Sequence, residues 1–103
     1  MLNNYFHELR SKAVFAPEGP RPQFLTDTPQ FKALVAGLEA GQRIPVHPAE
    51  AALYSFLEGE GLITVDDETF DVKPGAVVIA PSGAKRSIIA KTRVIFLGVK
   101  GAQ

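Results

Sequence analysis

Few side chains in this sequence are able to do acid–base or metal chemistry. There are two histidines, His7 and His47, and no cysteine, which excludes thiolate nucleophiles, thiolate metal ligands and disulfides. His47 can serve as base, acid or ligand. Tyr54 supplies a hydroxyl, and Phe56 follows two positions later, on the same face of any strand that carries both. Arg86 offers a planar fork of donors suited to a carboxylate or phosphate. Each has a structural alternative. His47 beside Pro48 can bond a backbone carbonyl, Tyr54 can be a core aromatic with its hydroxyl at a rim, and Arg86 next to Lys85 can point into solvent. Glu50 reads as solvated, and the acidic run Asp66–Glu68 as a turn, not a carboxylate site.

The elements that must position these residues are short. Eight prolines and nine glycines punctuate the chain, which favours strands and turns over long helices. LITV, TFDV, AVVIA, SIIA and VIFLGV are β-branched runs of strand length. FKALVAGLEA and PAEAALYSFLEG have helical propensity, but they are short, end in Gly-rich turns and sit among strands, so they too are expected as strands. Leu62–Val65 and Thr69–Val72 form a hairpin around the acidic turn. AVVIA, after the Pro74-Gly75 turn, reads as a strand buried on both sides.

Residues 1–28 read as an N-terminal arm preceding a barrel over 29–100. Tyr5, Phe6 and Leu9 would share one face of a helical turn within residues 1–10. KAVF, residues 12–15, suits an edge strand, and APEGPRPQ then removes the amide donors that a ladder needs. An edge strand followed by such a break suits contact with a second copy, and a homodimer is the expected assembly.

Composition narrows the classes. At 103 residues and 46% hydrophobic positions, the chain holds one core. Eleven basic and eleven acidic residues cancel, leaving no footprint for nucleic acid or an anionic membrane. With no run of about 20 apolar residues and no apolar leader, a cytoplasmic protein is expected.

The spacing of turn residues then carries a resemblance. Gly41, His47 and Gly61 in the first half, and Gly75, Pro81 and Gly83 in the second, fall on the two sequence motifs of the cupin family, with strands between them. Over about residues 30–100 the chain resembles a small cupin. That resemblance implies an all-β fold, a small double-stranded β-helix (jelly-roll) barrel. It also implies where a metal would be held, and there the sequence departs. The second histidine position falls on Ala49, the glutamate on Tyr54, the last histidine on Arg86 and the asparagine on Ala90.

Ala49 has no donor atom, and a permanent cation at position 86 repels a dication. No metal cofactor is therefore expected. His47, Tyr54, Phe56 and Arg86 are the expected pocket residues of a barrel that binds a small, anionic molecule. Two alternatives follow from the family. One is a metal-dependent dioxygenase or isomerase with a rearranged ligand set. The other is a metal-free, sugar-epimerase-like enzyme using His47 and Tyr54 as base and acid.

Overall fold

Nine short β-strands follow one another along residues 4–101, the part of the chain that the computed structural model describes. They are β1 (Gln23–Asp27), β2 (Phe31–Leu38), β3 (Arg43–Pro48), β4 (Ala52–Glu58), β5 (Gly61–Val65), β6 (Glu68–Val72), β7 (Val77–Ala80), β8 (Lys85–Ala90) and β9 (Val94–Gly101). Two antiparallel sheets result, in the orders β1-β2-β9-β4-β7 and β3-β8-β5-β6. Their inner faces meet in one core of Leu34, Ala36, Leu38, Tyr54, Phe56, Ile63, Ile88 and Phe96, among others. This is the expected all-β barrel.

The two segments with helical propensity are strands for a visible reason. β2 lies between β1 and β9, and β4 between β7 and β9, so ladders on both sides satisfy their backbones. Alternation turns Ala52, Tyr54 and Phe56 of β4 inward together, which a helix would spread around its axis. Gly75 takes φ +97° in the turn before β7, a conformation that side-chain-bearing residues rarely adopt.

Three expectations are corrected. The arm does hold an edge strand, but it is Gln23–Asp27 and not residues 12–15. Pro17, Pro20 and Pro22 interrupt the amide donors between positions 17 and 22, and the strand that pairs with β2 begins just after them, at Gln23. The helical turn of the arm is a 3-10 turn at Leu9–Lys12, later than expected; residues 1–3 of the expected turn lie outside the described residues. Strand β7 is not buried on both sides. It pairs only with β4 and leaves Val77 and Ile79 more than half exposed.

The arm is nonetheless part of the fold. β2 is buried on both faces because the arm covers the outer one. At Gly37 the Phe15 ring stands where a Cβ would be, 2.8 Å from that position, so only glycine admits the contact. Arg93 stacks over the same ring at 4.0 Å and forks onto Glu39, with Nε–Oε1 at 3.0 Å and Nη2–Oε2 at 2.9 Å. Gln42 completes the anchorage. Its Nε2 donates to the Ala16 carbonyl at 2.7 Å, and its Oε1 accepts from the Glu39 amide at 2.9 Å.

Candidate functional site

Strand β8 is held in register from both sides. Arg86 stands opposite His47 of β3 and opposite Val65 of β5. The hairpin turn helps, since Asp66 donates its amide to the Lys85 carbonyl and accepts the Lys85 amide on Oδ1. The acidic turn is thus a structural clasp for β8. Across the barrel, β4 carries Tyr54 toward the same region, and its hydroxyl lies 3.5 Å from Arg86 Nη1.

Arg86 is 1% exposed and is the largest fully buried side chain in the described chain. Its donors face backbone. Nη1 donates to the Glu50 carbonyl at 2.8 Å, Nη2 to those of Ala84 at 2.8 Å, Ala49 at 3.1 Å and Pro81 at 3.1 Å, and Nε to Ala84 at 3.1 Å. No carboxylate pairs with it among the described residues. Arg86 therefore neither points into solvent nor keeps a fork open for an anion. It ties the β3–β4 turn (Ala49, Glu50) to the β7–β8 turn (Pro81, Ala84), and it keeps its positive charge inside the barrel.

The cupin resemblance would put a metal among His47, Ala49, Tyr54 and Arg86, and the guanidinium already sits there, joining the two turns. Among the described residues no group of three His, Cys, Asp or Glu side chains converges on a point. The donor set does not fit a first-row metal, which needs several imidazole, carboxylate or thiolate ligands converging on one point, where only His47 offers one here. His47 Nδ1 lies 2.8 Å from the Pro45 carbonyl. Because a carbonyl can only accept, Nδ1 carries the proton, and Nε2 of the neutral ring is left as an acceptor.

His47, Tyr54 and Arg86 share the wall of one cavity of about 320 Å³. Phe56 does not reach it; it packs against Phe96 at 5.7 Å, one layer deeper in the core. Buried Leu34, Ile88 and Phe96 form the floor beside Tyr54, with half-buried Ile44 at its edge. Exposed Arg43 and half-buried Lys100 stand nearer the opening, and Pro20 and Pro22 of the arm close one side as a strap.

Sequence reasoning missed the two cations, the strap and the Gln42 anchor. Arg43 lies within the Gly41–His47 motif, and Lys100 is the next-to-last residue of β9, but nothing local says that both border one opening. The strap's prolines signal a break, and only tertiary contact places that break over a cavity.

Comparison with known proteins agrees with the all-β fold. The family profile described as a cupin domain matches residues 34–99. The chain belongs to the cupin family. Comparison with curated proteins returns no match.

Among solved structures, this cupin is similar to the conserved SPY1581 protein of unknown function from Streptococcus pyogenes. They share 24% identity at a TM-score of 0.86, covering 99% of this chain and 94% of that one. It is also similar to TT1209 from Thermus thermophilus, with 25% identity, a TM-score of 0.87 and coverage of 93% and 95%. The Cnp3 cupin domain of Schizosaccharomyces pombe shares 29% identity at a TM-score of 0.75, covering 82% of this chain and 65% of that one.

Proposed function

We propose that this cupin binds a small anionic molecule in the barrel cavity without a metal. The reading is carried by the charge of the lining: Arg43, Arg86 and Lys100 border the cavity, and among the described residues no Asp or Glu does, in a chain of net charge zero. Arg86 contributes as a buried positive charge, acting over distance where the dielectric is low. Arg43 and Lys100 make no ion pair among the described residues and contribute directly. Cavities of this size are at the small end of those that hold ligands.

The test is a thermal-shift screen of acetate, benzoate, phenylacetate and inorganic phosphate, with elemental analysis of untagged protein. Protection by at least one anion, weakened in Arg43→Gln and seen in metal-depleted protein, is the expected result. No protection by any anion overturns the proposal, as does a stoichiometric transition metal whose removal abolishes protection.

A homodimer belongs to the same proposal. It is supported by the exposed Phe24 and Phe31 at the β1–β2 edge, where an unpaired strand offers backbone donors to a second copy. Sedimentation of the wild type and of Phe24→Lys checks it, with a monomer expected only for the variant. No helix of the described residues is long and apolar enough to cross a membrane.

A further inference from the structure

The polar groups of the cavity are unevenly distributed with depth. At the floor, Leu34, Ile88 and Phe96 are at most 6% exposed and present only carbon. Of the two polar side chains at that depth, Arg86 has its donors on backbone carbonyls, and Tyr54 Oη accepts one long contact from Arg86 Nη1 and keeps its own O–H as a donor. Beyond that one partner, ligand hydroxyls driven there would give up water without replacement. The unengaged cations, Arg43 and Lys100, lie toward the opening, beside His47 with its Nε2 acceptor. Charge is available outside and carbon inside.

We infer that the ligand is an amphipathic monoanion that enters apolar end first: a compact hydrocarbon body, aromatic or branched, bearing one carboxylate that stays at the mouth between Arg43 and Lys100. This rests on the proposed binding function and adds the ligand class and its orientation. The cavity of about 320 Å³ equals the liquid volume of about ten waters, room for a body of one or two rings or a short branched chain. The Tyr54 and Phe96 rings, set edge to face at 5.8 Å, give a ring an aromatic surface to pack on. Pro20 and Pro22 wall the near side with no amide donor, so the strap also favours carbon over hydroxyl. Sugars and polyhydroxylated acids are disfavoured by the same lining, because beyond Tyr54, Ser87 and His47 it holds few polar atoms free to pair with their hydroxyls.

The experiment is calorimetric titration of the full chain with phenylacetate, with 2-phenylethanol as its neutral counterpart, and with glucuronate as a hydroxylated acid. Phenylacetate is expected to bind at least tenfold more tightly than either, with affinity falling as salt rises, because the pairing cations are near solvent. In the double variant Arg43→Gln/Lys100→Gln, the ratio of phenylacetate to 2-phenylethanol affinity should fall to about one, with the melting temperature retained. Glucuronate binding as tightly as phenylacetate overturns the apolar assignment while leaving anion binding intact. A phenylacetate preference that survives the double variant overturns the head-outward orientation. Failure of all three probes, together with acetate, benzoate and phosphate, overturns anion binding itself.

Discussion

A guanidinium buried without a carboxylate is stable only if its donors find acceptors, and Arg86 finds them in four backbone carbonyls from two turns. Removing it would leave the Glu50 and Ala84 carbonyls without their Arg86 donors, while those of Ala49 and Pro81 keep the Gly83 and Ala84 amides. Arg86→Leu is therefore expected to lower unfolding free energy by roughly 2–4 kcal/mol, since each carbonyl left without a donor costs about 1–3 kcal/mol; urea denaturation checks it. Arg86→Lys should rescue little, since an ammonium has three donors in a different geometry from the planar five. Equal stability for Arg86→Leu and wild type would remove the clamp role. Tyr54→Phe tests the weaker contact. At 3.5 Å the Arg86–Tyr54 bond is long, so its loss should cost less than about 1 kcal/mol in the same measurement.

The strap is the element whose behaviour can be tested separately from the barrel. Gln42 bonds both the arm and the Glu39 amide, so Gln42→Ala should cost about 1 kcal/mol and speed hydrogen exchange at that amide. Gly37→Ala acts on the same attachment by sterics. A methyl group there displaces the Phe15 ring, and trypsin should then cut faster after Lys12 while the barrel stays intact. The ion pair adds a pH dependence. Hydrogen bonding from Arg93 holds the Glu39 carboxyl below the usual carboxylate range. A depressed native pKa gives stability that is complete above the unfolded value and is lost as pH falls through the lowered native value. The melting-temperature gap between wild type and Glu39→Gln should thus be present at neutral pH and close in acid, remaining small throughout because the pair is exposed.

At the scale of the molecule, the barrel leaves β7 as a sheet edge, and an apolar run therefore lies open to solvent. Ile79→Lys should change stability by no more than about 0.5 kcal/mol, as an exposed position does, whereas burial on both faces would make it severely destabilising; urea denaturation decides. The same run shows where the pattern of residues reaches its limit. The all-β class, the β5–β6 hairpin, the turn glycines and the departure at Ala49, Tyr54 and Arg86 were legible in order along the chain, because turn chemistry and alternation are local properties. So was the grouping of His47, Tyr54 and Arg86, through the spacing of the two motifs. Edge or centre for β7, the strap over the opening and the pairing of Arg43 with Lys100 were not, because each depends on which strands become neighbours. Arg86 marks the boundary most sharply. Its residue type spoke for an open anion fork; the carbonyls that occupy the fork come from two turns, Ala49–Glu50 and Pro81–Ala84, that meet only when the barrel closes.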